Sequence, residues 1–223
     1  MSNSRKSMIH VSRAVAVVWL SMSLTAAGQT PERSRTEGLK ETDRFIKAGS
    51  STAQFVAAAK LEVQKTLTAY NTLVTQPSKN MKGDYKKLLK SMDAMNKKMD
   101  EATVKLEAMQ SAADIYFQGR GETIKNIQDP ALQNQAQQRM QQSQKEFAGV
   151  LASLREAGDS LQPFRKQLAD QITFLGSDLN PSATASLKPH ADKLNTDGNT
   201  VFARADQTIG KANDYFNGLK GQS

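Results

Sequence analysis

Four long stretches, starting near residues 39, 85, 130 and 181, place apolar residues at alternating steps of three and four and carry almost no strand signal. The clearest runs Tyr85, Leu88, Met92, Met95, Met99, Ala102, Leu106, Met109, Ala113, Tyr116. Such a seam packs one helix against others. The expected fold is all-α, an elongated antiparallel bundle of about four long helices with coiled-coil-like packing, over 39–76, 84–127, 130–179 and 181–219. Short connections make consecutive helices antiparallel. No repeat of fixed period beyond the heptad is present, which argues against a solenoid. The seams are expected to bury one another and leave no cavity in which a reaction could be organised.

Punctuation sets the boundaries. The first helix carries Ile46, Ala53, Val56, Val63, Leu67, Tyr70 and Val74 on one stripe, weakened at Gly49 and Lys60, and stops at Pro77. Asp84 is a candidate cap for the second helix, whose tail reaches Ile124 and Ile127, with a bend or break expected at Gly119 and Gly121. Asp129-Pro130 and Asn180-Pro181 each pair a capping side chain with proline in the first helical position. Pro163 should kink the third helix, and Pro189 and Gly198 make the fourth the weakest.

The first 28 residues hold Arg5, Lys6 and Arg13, no acidic residue, and the apolar run Ala14-Val-Ala-Val-Val-Trp-Leu20 fading towards Ala27. This is the layout of a secretory signal, with cleavage expected after Gly28. The run is shorter than the roughly 20 residues a membrane span needs. The organisation expected is a signal over 1–28, a polar lead over 29–38, and a single bundle domain over 39–220. Cysteine is absent, so disulfides, thiolate metal sites and an acylated N-terminal cysteine are all excluded. The expectation is a soluble protein exported to a Gram-negative-type periplasm, with no transmembrane segment after signal removal.

Charge is localised. Removing the signal takes the formal net charge from +8 to +5, and the window from Lys79 to Lys98 alone carries +5, with seven lysines against Asp84 and Asp93. Taking Tyr85 as heptad position a, Lys86 and Lys87 fall at b and c, and Lys90 and Lys97 at f, opposite the seam. Lys79 and Lys82 extend the stripe into the loop. These six lysines are the candidate docking site for an anionic surface, whether lipid headgroups, lipopolysaccharide or an acidic envelope protein; the competing reading is an ordinary solvated face. Nucleic acid is not the expected partner, because no arginine or aromatic interleaving accompanies the lysines.

Other constellations carry little chemistry. Met92, Met95 and Met99 could suit cuprous ion, but their spacing is that of the seam and no histidine or cysteine supports them. The glutamines from Gln133 to Gln144 read as a polar helix face. The run from Phe117 to Thr123 lacks the lysine and serine of a phosphate-binding loop and reads as a helix break. His190 is the lone histidine after the signal, one turn from Leu187 and Leu194. Asp100 and Glu101 are adjacent on a helix and point apart. No catalytic residue, metal site or cofactor is expected.

Ala113-Asp-Ile-Tyr-Phe117, Ile127-Gln-Asp-Pro-Ala-Leu132, Leu161-Gln-Pro-Phe-Arg-Lys-Gln-Leu168, Asp178-Leu-Asn-Pro181 and Ala185-Ser-Leu187 together resemble a bacterial family of unknown function, the domain numbered twenty-nine fifty-nine. The likeness spans about residues 40–219. These are boundary and packing motifs, so the resemblance implies the helical architecture and no reaction. Members similar to this chain often carry a tryptophan after the Tyr-Phe pair, where Arg120 stands here between glycines, and many look like lipoproteins. The function expected is that of a non-enzymatic interaction or scaffold protein of the cell envelope. The alternative is a holdase-like chaperone that opens its methionine-rich seam, and the bundle could close within one chain or as an oligomer.

Overall fold

The structure is a computed structural model that describes residues 35–221. The signal reading over 1–28 and the first part of the polar lead lie outside the described residues. The elements are α1 (Arg35–Thr75), α2 (Met81–Lys125), α3 (Pro130–Ser177), α4 (Pro181–Ser186) and α5 (Lys188–Lys220), with no strand among the described residues. At 1.5 Å per residue α1 to α3 are roughly 60 to 70 Å long. The expected all-α bundle is what forms. In it α1 packs on α2 and α5, and α3 packs on α5 and α2, so each long helix has two long neighbours and one long helix across the core.

The caps explain the boundaries. The carboxylate of Asp129 accepts from the backbone N–H groups of Ala131 and Leu132 at 2.8 and 3.1 Å, and Asn180 accepts from Ala183 at 2.9 Å. The start of α2 differs from expectation. Asn80, not Asp84, is the cap, its side chain accepting from the N–H of Gly83 at 3.1 Å, so the helix begins at Met81. Asp84 lies in the first turn, where its charge complements the exposed N–H groups.

The break expected at Gly119 and Gly121 does not occur, and α2 runs unbroken to Lys125. Tyr116 and Ile124 on either side are buried at 4 % and 5 % exposure, and this anchoring outweighs the cost of about 1 kcal/mol per helical glycine. By contrast, the expected fourth helix is divided at Leu187. Pro189 has no N–H to give the carbonyl of Ala185. The chain closes instead through Leu187 N–H to the Thr184 carbonyl, at 3.2 Å, before α5 begins. Pro163 lies within the unbroken span of α3.

Every residue of the α2 seam is buried or half-buried. The core forms two clusters. One gathers Val63, Leu67, Leu88, Met95, Leu168 and Leu194 towards the α1–α2 turn. The other centres on Phe45, which stacks on Tyr116 at 5.0 Å and meets Phe147 and Phe216 edge-on at 5.1 Å. Buried threonines tie α1 to α2: Thr66 Oγ1 lies 3.0 Å from the Ser91 carbonyl and Thr52 Oγ1 3.0 Å from that of Lys105. Each is also within reach of a carbonyl four residues back, so its one proton serves a single acceptor at a time.

Candidate functional site

The lysine face is positioned by the first five turns of α2. Lys82, Lys86, Lys90 and Lys97 recur at steps of four, four and seven, which at 3.6 residues per turn keeps them within about 80° around the axis. The stripe they make is about 22 Å long. Lys79 joins it from the turn, and all six candidate lysines are exposed. Lys87 is held by Asp84 at 3.0 Å. No ion pair reaches Lys79, Lys82, Lys86, Lys90 or Lys97 from any described residue. Leu89, 39 % exposed, stands among them.

Nearby carboxylates feel this charge. Hydrogen bonds from Ser78 and then Lys87 hold Asp84 below the usual carboxylate range. Glu101 is lowered chiefly by its bond from Lys98 at 2.6 Å, with Lys97 adding to the field. Lys98 in turn lies 5.7 Å from the centre of the Phe55 ring, and Lys105 5.0 Å from it, so two cations share one aromatic ring.

The remaining candidates settle into structural places. Met95 and Met109 are fully buried and Met99 nearly so, so the closed bundle offers no open methionine groove along that seam. His190 is exposed at the start of α5. Among the described residues no group of three histidines or carboxylates has metal-binding geometry. Two tyrosines are held protonated: partial burial pushes the Tyr215 phenol up to about 12, and the buried Tyr70, which donates to Gln171, is raised further. No described helix is long and apolar enough to cross a membrane.

The core is interrupted at one level. Between the two clusters lies a cavity of about 150 Å³, lined by all four long helices. Ala59, Ala102, Ala157, Gly158 and Ala205 are among the residues that line it. Lys60, marked as a weak point of α1, lines it and bonds to both carboxylate oxygens of Asp206 on α5 at 2.6 Å.

A family described as a protein of unknown function (DUF2959) has a model that matches residues 33–219, which takes in nearly all of the described bundle. The chain belongs to DUF2959. No curated protein and no solved structure matches it. The boundary motifs that suggested DUF2959 have clear places in the fold. Asp129-Pro130 and Asn180-Pro181 are the caps of α3 and α4, Tyr116 and Phe117 belong to the aromatic cluster, and Phe164 and Leu168 to the other core. In this DUF2959 chain Arg120 donates to the Tyr116 hydroxyl at 2.6 Å, so the residue between the glycines turns back along its own helix.

Proposed function

We propose that this DUF2959 chain is a non-enzymatic scaffold of the cell envelope, exported through its N-terminal signal, that docks to anionic lipid headgroups through the lysine face of α2. The observation that carries the reading is a stripe of exposed lysines of which only Lys87 has a carboxylate partner among the described residues. The arrangement opposes the helix's own interests. Lys82 and Lys86, and Lys86 and Lys90, are like charges four residues apart, and the first of them lie in the turns where the helix dipole is positive. A face selected only for solubility gains nothing from that placement. Leu89 exposed between lysines suits a lipid interface, where cations meet headgroups and an apolar side chain enters below them. A rigid rod some 60 to 70 Å long would then hold its far end away from that surface.

Vesicle co-sedimentation tests this. The full chain should bind vesicles rich in phosphatidylglycerol, bind neutral phosphatidylcholine vesicles poorly, and lose binding as salt rises. Changing Lys86, Lys87, Lys90 and Lys97 together to Gln should remove the binding while circular dichroism stays helical. Undiminished binding by that variant would discard the lysine face. Binding of an acidic envelope protein with none to anionic vesicles would discard the lipid.

A further inference from the structure

The mid-bundle cavity is lined by residues of α1, α2, α3 and α5. Its volume of about 150 Å³ is that of cavities that admit an apolar guest of benzene size. Small residues contributed by all four long helices fall at one level to create it. Its inner walls are mostly apolar, with Val63, Met99, Leu154 and Phe202 among them.

The cavity has an entrance. Its exposed lining residues, Asp100, Thr103, Gly158 and Gln162, lie on α2 and α3, so it opens to solvent between those two helices. That pair is in less extensive contact than α1 with α2 or α1 with α5. Arg165 stands at the same opening, half-buried, with no hydrogen bond or ion pair to any described residue. Asp100 lies at the mouth too, exposed and beyond ion-pair distance of Arg165. The other cation of the lining, Lys60, is already satisfied by Asp206.

We infer that this cavity binds the alkyl chain of a monoanionic amphiphile, a fatty acid being the simplest, with the carboxylate against Arg165 at the α2–α3 opening. The apolar walls take several methylene groups out of water. A planar guanidinium presents two parallel N–H donors to a carboxylate, which a half-buried arginine lacking an internal partner is free to do. Asp100 beside it disfavours a head carrying more than one negative charge. The inference is independent of the lysine face, which lies on the outside of α2.

Octanoate and octanol, titrated calorimetrically into the full chain, separate tail from head. Both should bind saturably, one per chain, octanoate more tightly, and octanoate should raise the melting temperature. Arg165→Gln should weaken octanoate at least tenfold and leave octanol unchanged. Ala102→Leu, which fills the cavity, should abolish binding of both. Absence of saturable octanoate binding, or its survival unchanged in Ala102→Leu, overturns the site. Equal effects of Arg165→Gln on octanoate and octanol overturn the role given to the guanidinium. Should Ala102→Leu fail to fold, the Arg165→Gln comparison decides alone, since that side chain reaches solvent.

Discussion

A Cβ on Gly49 would lie 2.0 Å from the Phe216 ring, and that ring has nowhere to go. Phe216 is 1 % exposed, wedged against Phe45 at 5.1 Å and Tyr215 at 5.0 Å. The glycine that looked like a flaw in α1 is the recess that admits the aromatic cluster. Gly149 on α3 has open space where its Cβ would be. Opposite signs follow for the same substitution. Gly49→Ala gains about 1 kcal/mol of helix propensity and suffers overpacking of about 1–3 kcal/mol, for a net loss. Gly149→Ala should gain about 0.5–1 kcal/mol. Thermal melts, at about 2–4 °C per kcal/mol for a chain of this size, read both. A stabilising Gly49→Ala would mean that the ring packing is looser than drawn. Neither glycine's role is visible in a linear pattern, because a helix-breaking residue and a residue that makes room for a ring on another helix are spelled the same way.

At the scale of the element, α2 carries the charge conflict at its start. Its first two turns hold Lys82, Lys86 and Lys87 against Asp84, whose carboxylate bonds Lys87 and Ser78. Replacing Lys82 and Lys86 by Gln should stabilise the bundle at low salt by about 0.2–0.5 kcal/mol for each like-charge contact removed. The gain should shrink as salt screens the field. Urea melts at two ionic strengths measure it, and a loss of stability at low salt would show that these lysines hold the fold together. The helix boundaries themselves were legible wherever an unambiguous device marks them, as at Asp129-Pro130 and Asn180-Pro181. The start of α2 was not, because Asn80 and Asp84 are both good caps and only the bond from the Gly83 N–H decides between them. Proline signalled trouble at both Pro163 and Pro189 without saying which would divide a helix. Pro163 lies inside a long anchored run with Phe164 and Leu168 buried beside it, whereas Pro189 comes only a few residues after a fresh start at Pro181.

For the molecule as a whole, periodicity told which residues face inward but not at what level they meet. The lysine face was legible because it belongs to one helix. The cavity was not, because Ala59, Ala102, Ala157 and Ala205 become one layer only when four helices take a particular register. That layer divides the core, and whether it also divides the protein is a question of cooperativity. Each long helix runs through both clusters: α1 from Phe45 to Tyr70, α2 from Leu88 to Tyr116, α3 from Phe147 to Leu175, α5 from Ala191 to Leu219. Unfolding one half would require every helix to fray at the cavity level, where the backbone ladder continues unbroken and propagation favours the helical state. The bundle should therefore unfold as a single unit. Ile46→Val in the aromatic cluster and Ile172→Val in the other each remove one methylene, at about 0.5–1.5 kcal/mol. The double variant should show one transition by both circular dichroism and tyrosine fluorescence, displaced by the sum of the two within about 0.5 kcal/mol. Two separable transitions, each moved by only one of the substitutions, would mean that the cavity is a hinge between independent halves and that the rod is not rigid.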